Sequence, residues 1–389
     1  MKLDPTLKTI LELEKQRQAE CHHFIASENG VSDEVRYFVG SEFTNKYAEG
    51  YPGRRYYNGC ENFDALEKRA NQLVRKLYEC NYSNVQPHSG ANANLAVYKA
   101  FLKPGDTTLG MDLTAGGHLS HGSRANLSGQ WFDAQFYNVG TSGDCNDGWI
   151  DYDIVRERAR ETKPKLLIAG GSAYPREIDW QAFRSIADEV GALFLVDMAH
   201  YSGLIAGGVY KNPLPYADIV TSTTHKTLRG ARGGMILWNR TDLTRKINSA
   251  VFPGTQGGPL MNHIAGKAQA FYEASQPEFR QYAHDVVMNA KLMAGVLQER
   301  GVKVSTGGTD SHIVLIHTGN RTGKDVANEL QNEYNIIVNK NTVPNDPRSV
   351  VETSGIRIGT AAMTTRRGRD IEYFASIADT IADVIGEYI

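Results

Sequence analysis

Leu193-Phe194-Leu195-Val196-Asp197 is a five-residue run that is apolar on both faces and ends on a carboxylate. A strand exposed on one side alternates apolar and polar residues, so a run without alternation needs helices above and below it, as parallel strands have. The segment just before it, Asp179–Val190, has helical spacing, and the two together read as part of a βαβ unit. Upstream, Lys165-Leu166-Leu167-Ile168-Ala169-Gly170 is another short apolar strand. Downstream, Ala217-Asp218-Ile219-Val220-Thr221 and Gly234-Met235-Ile236-Leu237-Trp238 add two more, and Ala93–Leu102 reads as a helix after Ser89-Gly90. The fold class that follows is α/β with a mainly parallel sheet.

Outward from this centre the pattern changes. Residues 6–20 read as an amphipathic helix carrying Leu7, Ile10, Leu11 and Leu13, and an irregular stretch rich in Gly, Asn, Tyr and Arg runs on to about residue 60. Gly254 to Gly258 form a break. A long polar helical region follows at about 262–300, then strands near Lys303–Ser305 and His312–His317, a helix from Gly323 and a last helix from Asp370. The reading divides the chain into an N-terminal arm (1–60), a large domain (61–261) and a smaller α+β domain (262–389), with no internal repeat and no low-complexity linker.

Bulk properties narrow the function. The chain has 389 residues, 41% of them hydrophobic, and a formal net charge of −2. Nothing in the charge pattern favours nucleic acid or an anionic membrane, so a small-molecule partner is expected. Met1-Lys2-Leu3-Asp4-Pro5 lacks the charged-then-apolar run of a signal peptide, and no apolar stretch approaches the ~20 residues of a membrane span, so the cytoplasm is the expected location. Cys21, Cys60, Cys80 and Cys145 lack metal-ligand or redox spacing; they read as reduced thiols, and no metal site is expected.

Ligands of open α/β sheets bind beyond the carboxyl ends of the strands. Polar residues cluster there: Ser172 after one strand, Asp197 with Met198-Ala199-His200 at the end of another, and Thr223-Thr224-His225-Lys226 after a third. A lysine in such a turn, one strand from an aspartate, can form an imine with pyridoxal phosphate while the carboxylate keeps the pyridine nitrogen protonated. On spacing alone, a helix-capping aspartate and a surface lysine are the commoner outcome. Val85-Gln86-Pro87-His88-Ser89-Gly90-Ala91-Asn92-Ala93-Asn94 puts small residues at a helix start, where free N–H groups suit a phosphate, although a plain N-capped helix fits as well. Arg357 alternates with apolar residues in Ser354-Gly355-Ile356-Arg357-Ile358-Gly359 and could grip a carboxylate from a cavity wall, or lie solvated on an edge strand.

Longer motifs are more specific. Ile25-Ala26-Ser27-Glu28-Asn29, Thr44-Asn45-Lys46-Tyr47-Ala48-Glu49-Gly50-Tyr51-Pro52-Gly53-Arg54-Arg55-Tyr56-Tyr57, Gly116-Gly117-His118-Leu119-Ser120-His121-Gly122, Thr223-Thr224-His225-Lys226-Thr227-Leu228-Arg229-Gly230 and Phe252-Pro253-Gly254-Thr255-Gln256-Gly257-Gly258-Pro259 follow one another along the chain. In these runs and their order the chain resembles the serine hydroxymethyltransferase family over nearly its whole length. The resemblance implies an aspartate-aminotransferase-like (fold type I) architecture with a seven-stranded, mainly parallel sheet. It implies pyridoxal phosphate bound to Lys226, with Asp197 at the pyridine nitrogen, His118 stacked on the ring, and Thr223 beside the lysine turn among the catalytic residues.

It further implies that Ser89, Gly90 and Ala91 bind the phosphate with His225, and that Ser172 and His200 hold the phenolic oxygen and the substrate-facing side. Tyr47 and Gly257-Gly258 would reach the phosphate from a neighbouring subunit, in a homodimer or a dimer of dimers. Arg357 and Ser27 would hold the substrate carboxylate. Glu49 and Tyr57 would line the place where the hydroxymethyl group leaves, with Glu49 the acid/base, since a carboxyl group in a desolvated cleft can carry a proton near neutrality. The implied reaction interconverts serine and glycine, passing one carbon to tetrahydrofolate between Leu113, Leu119, Glu49 and the loop near Asn341.

Six positions depart from the family pattern: Gly30, Asn58, Ala91, Ala231, Asn262 and Ala361. The sequence also stops at Ile389 without a further C-terminal segment that many relatives carry. These departures leave a second reading open, a folate-independent threonine aldolase or transaldolase, or an α-methylserine hydroxymethyltransferase.

Overall fold

The computed structural model describes residues 3–140 and 148–386. Seven strands form the main sheet: β1 (Tyr82–Asn84), β2 (Thr107–Met111), β3 (Asp133–Tyr137), β4 (Leu166–Ala169), β5 (Leu193–Asp197), β6 (Ile219–Thr223) and β7 (Gly234–Trp238). They lie in the order β1-β7-β6-β5-β4-β2-β3. Only β7 runs against its neighbours, so the expected seven-stranded, mainly parallel sheet is present.

β5 sits in the middle, paired in parallel with β4 and β6. Its side chains explain the missing alternation. Phe194 and Val196 enter the apolar cluster on one face of the sheet, while Leu195 enters the cluster on the other. Each such buried side chain contributes about 2 kcal/mol relative to exposure. The helix Trp180–Val190 covers the first face. Asp179 caps it by accepting from the N–H groups of Gln181 and Ala182, and Gly191 ends it in a left-handed conformation. Its stripe of Phe183, Ile186 and Ala187 packs down, with the Phe183 ring stacked on Phe194 at 5.8 Å. The helix Gly90–Phe101 covers the second face through Ala93, Ala96 and Val97.

A second core gathers around the three-stranded sheet β8 (Ile313–His317), β9 (Asn339–Asn341) and β10 (Gly355–Gly359), in the order β8-β10-β9. The helices Pro277–Glu299 and Ile371–Ile385 and the side chain of Phe24 complete it. His22–His23 pairs in parallel with Ile336–Ile337. The N-terminal segment is thereby woven into the C-terminal core at residues 22–24.

Several expectations need correcting. The strand near Lys303–Ser305 is a single bridge, Val304 to Ile316, because the chain turns at once through Ser305–Gly307. β6 begins at Ile219, two residues later than read: Asp218 is occupied by Arg184 and Arg240. The region 262–300 is two helices, Met261–Ala274 and Pro277–Glu299, since Pro277 can open a helix but not continue one. Nor is it polar throughout, for Ile264, Phe271, Phe279 and Met293 are buried. The stretch before residue 60 contains a helix, Asp33–Val39. The helix Pro5–Glu20 forms as read, but Leu7, Ile10, Leu11 and Leu13 are exposed. Cys21, Cys60 and Cys80 are unpaired, and Cys145 lies outside the described residues. Among the described residues no helix is long and apolar enough to cross a membrane.

Candidate active site

β4, β5 and β6 end side by side at Ala169, Asp197 and Thr223. Leaving β4, the chain turns across the end of β5 at Gly170, whose φ is +117°; a Cβ there would lie 2.1 Å from the Asp197 carbonyl oxygen. Only glycine permits this crossing. Beyond the strand ends lies a cavity of about 360 Å³. Its walls include Lys226, Asp197, His118, Thr223, Ser172, His200 and Ser27, together with Ser89, Gly90, Ala91 and His225. All eleven of these residues, expected from sequence, are brought together by the fold.

Asp197 forms the floor. One carboxylate oxygen accepts from Asn94 Nδ2 at 2.9 Å and from His121 Nε2 at 3.0 Å, and the other from the Ala199 N–H at 3.0 Å. Burial alone would raise its pKa, but these donors, His121 foremost, hold the carboxyl well below the usual range. It is a fixed negative charge. Lys226 is 7% exposed, so the surface-lysine reading fails. Burial pulls its pKa down to about 8, against the attraction of Asp197 and with help from Arg357 and Arg232. At that pKa about a tenth of the amine is unprotonated, and therefore nucleophilic, at pH 7, far more than for an exposed lysine.

The helix Gly90–Phe101 points its first turn at the cavity. Ser89 caps it, accepting from the Asn92 N–H at 3.1 Å, and the N–H groups of Gly90 and Ala91 have no acceptor within the helix. A Cβ on Gly90 would come within 2.7 Å of Thr223 Cγ2, so close packing against β6 also needs glycine here. His225 closes this end with its Nδ1 buried and unpartnered, and burial drives its pKa down to about 3. His118 is likewise driven down to about 4, and its Nδ1 lies 2.7 Å from Ser120 Oγ. Both rings are neutral and can stack or accept without bringing charge.

Arg357 stands on β10, the central strand of its sheet, and is 8% exposed, so it is not a solvated edge residue. Nη1 donates to the Ser172 carbonyl at 2.5 Å and Nη2 to Asn339 Oδ1 at 2.6 Å, while the buried Nε has no partner. Burial pulls its pKa down to about 10, which leaves it charged at neutral pH. No carboxylate pairs with it among the described residues. A buried guanidinium held only by neutral acceptors, with a donor to spare, is a site for an anion.

The remaining expected residues stand elsewhere. Tyr47, Glu49, Tyr57, Gly257 and Gly258 form a second group: Tyr47 stacks on Tyr57 at 5.5 Å, and a Cβ on Gly258 would lie 2.8 Å from Tyr47 Cδ1. Glu49 and Tyr57 therefore do not line the Lys226 cavity of their own chain. Leu113 and Leu119 are exposed, and Asn341 belongs to β9; none of the three lines that cavity. Sequence reasoning missed Asn94, His121, Asn339 and His312, whose Nε2 lies 3.3 Å from His200 Nδ1. Asn94 and His121 had a readable signal, since each follows an identified site residue by three positions, counting from Ala91 and His118. Asn339 and His312 had none.

The residues present fit pyridoxal phosphate: a helix start and an orphaned imidazole for the phosphate, a permanent carboxylate for the ring nitrogen, and a reactive amine between them. Comparison with known proteins gives the family. The family model "Serine hydroxymethyltransferase" matches residues 1–381. The chain belongs to the serine hydroxymethyltransferase family. A relative named serine hydroxymethyltransferase from a Nitratiruptor species is 53% identical over 384 residues, which is 98% of this chain and 91% of its own length. One of the same name from Halorhodospira halophila is 54% identical over 385 residues, 98% and 91%. A third, from Prochlorococcus marinus, is 53% identical over 382 residues, 98% and 89%. Of the six departures from the serine hydroxymethyltransferase pattern, only Ala91 lines the cavity, and its contribution there is a backbone N–H.

Proposed function

We propose that this protein interconverts serine plus tetrahydrofolate and glycine plus 5,10-methylenetetrahydrofolate, using pyridoxal phosphate on Lys226. The observation that carries the reading is the opposed pair of permanent charges around one buried amine: Asp197 beneath it and Arg357 unpaired above. Pyridoxal phosphate, when bound, supplies a protonated pyridine ring that accepts the electron pair released at the substrate α-carbon. Asp197 keeps that nitrogen protonated. Arg357 would take the substrate carboxylate, with Ser27 beside it, and so would orient the α-carbon within the cavity. His118 would lie against the cofactor without adding charge, and Thr223 and Lys226 would hold or move the proton near the α-carbon. Ser172 and His200 serve the ring's phenolic side.

The second group of residues supports a homodimer, in which another copy would bring its own Tyr47, Glu49, Tyr57, Gly257 and Gly258 to this cavity; Glu49 would there exchange a proton with the departing hydroxymethyl oxygen. Folate would lie on the outer side toward Leu113, Leu119 and Asn341. With Cys21, Cys60 and Cys80 unpaired, we place the protein in the reducing cytoplasm. The family match over residues 1–381 favours this reading over a folate-independent aldolase. Glycine formation from serine by the purified protein tests it: formation that needs added tetrahydrofolate supports it, and equal rates without folate reject it.

Two further outcomes are expected. Arg357→Met should raise KM for serine about 100-fold or more with a smaller change in kcat, since removing one partner of a buried charge pair costs about 2–5 kcal/mol. The same change should leave the apoprotein as stable as before, because it removes a buried cation that has no carboxylate. Steady-state kinetics and urea unfolding check the two halves. The rate at which apoprotein takes up pyridoxal phosphate should rise with pH and level off above about 8. The sign follows from Lys226: the unprotonated amine is the nucleophile, and its fraction grows as pH rises through its lowered pKa.

A further inference from the structure

Beneath the phosphate end of the cavity lies a cation that the proposed reaction does not use. Lys267, on the helix Met261–Ala274, is 2% exposed. Its Nζ donates to the carbonyls of Val85 at 2.8 Å, Pro87 at 3.0 Å and Gly234 at 3.0 Å. No carboxylate lies within ion-pair distance of it among the described residues. Three acceptors match the three N–H groups of an ammonium, and a neutral amine would leave one carbonyl bare, so the arrangement selects the charged form. Burial pulls the Lys267 pKa down to about 7 against the attraction of Glu67, and the three carbonyls are what favours the charged form.

The carbonyls belong to a particular place. Val85 and Pro87 open the loop that leads through His88 and Ser89 into the helix at Gly90. Gly234 starts β7, and its N–H donates to the same Pro87 carbonyl at 2.9 Å. The side chain reaches them over Gly233, where a Cβ would lie 2.1 Å from Lys267 Cε; any larger residue would shut it out. Gly233 in turn accepts at its carbonyl from the Thr224 N–H, two residues before Lys226. Lys267 therefore ties the loop before the helix start to the turn that carries His225 and Lys226. Its charge is felt at His225, along with those of Arg232 and Lys226.

We propose that Lys267 is a positioning residue for the phosphate cradle: it fixes the loop from Val85 to Gly90 from below and sets a positive charge behind it, without touching the ligand. The inference rests on the reading that Ser89, Gly90 and Ala91 receive a phosphate. A structural prop would support every ligand of the cavity equally, whereas a residue serving the phosphate end distinguishes pyridoxal phosphate from pyridoxal, which lacks the phosphate.

The test compares the dissociation constants of those two compounds for full-length apoprotein. In Lys267→Met the constant for pyridoxal phosphate is expected to rise about tenfold or more, with that for pyridoxal changed less than about twofold. Equal losses for both compounds, or none, overturn the proposal. Wild-type apoprotein that takes up no pyridoxal phosphate overturns the phosphate reading itself, and this inference with it. Where Lys267→Met does not fold, ¹⁵N-lysine spectra of the wild-type protein decide. A protected Lys267 ammonium resonance at pH 8 that moves when pyridoxal replaces pyridoxal phosphate is expected; a neutral amine, or an unmoved resonance, overturns the proposal.

Discussion

Lys226→Ala is expected to lower serine cleavage by about 1000-fold or more, a rise of about 4 kcal/mol in the barrier. The size follows from what the position combines. Among the described residues Lys226 is the one lysine lining the cavity, and its burial makes the amine reactive near neutrality. Lys267 is also buried, but its Nζ is consumed by three carbonyls and cannot replace it. Alanine removes the attachment point while leaving Asp197, Arg357 and the helix start in place, so the variant should still fold and bind cofactor reversibly. Steady-state turnover and circular dichroism separate loss of chemistry from loss of fold. Turnover within tenfold of the wild type would show that the lysine does not carry the reaction.

Asp197→Asn is expected to lower kcat by about 1000-fold, at the upper end of what removing one preorganised electrostatic group costs. The amide is the same size, so packing survives. The charge does not. Two donors, Asn94 Nδ2 and His121 Nε2, converge on the oxygen that would become a nitrogen or turn away, and neither geometry can hold a pyridine nitrogen protonated. KM for serine should change little, since Arg357 and Ser27 stand on other elements. A loss in KM alone, with kcat preserved, would place Asp197 in substrate binding instead of electron withdrawal.

How much of this was legible follows from the range of the interactions. β5 was readable because its residues face two covers at once, and that demand shows in five consecutive positions. Lys226 and Asp197 were nameable because strand ends collect ligands, although spacing alone could not separate a buried lysine from a surface one. Burial depends on packing that spacing does not show, and two of the charges that act on the amine, Asp197 and Arg357, come from other strands far along the chain. Asn339 and His312 escaped for the same reason: Asn339 matters because β9 pairs beside Arg357, and His312 because its ring meets His200 across 112 positions of chain. The strand expected near Lys303–Ser305 failed on local grounds, since Gly307 and Gly308 both have positive φ and turn the chain away after one bridge.

Glu49 shows a further limit. Its motif pointed to the chemistry of the cavity, yet in one chain it stands apart with Tyr47 and Tyr57. A sequence motif reports which residues a reaction needs and is silent on which copy of the chain supplies them. Size-exclusion chromatography with light scattering bears on that arrangement independently of activity.

In the proposed reaction Lys226, buried near Asp197, holds the cofactor covalently. Borohydride reduction of the purified protein loaded with pyridoxal phosphate, followed by peptide mapping, tests it most directly. A pyridoxyl group on the peptide containing Lys226, and on no other lysine, is the expected result; the group on a different lysine, or on none, would contradict it.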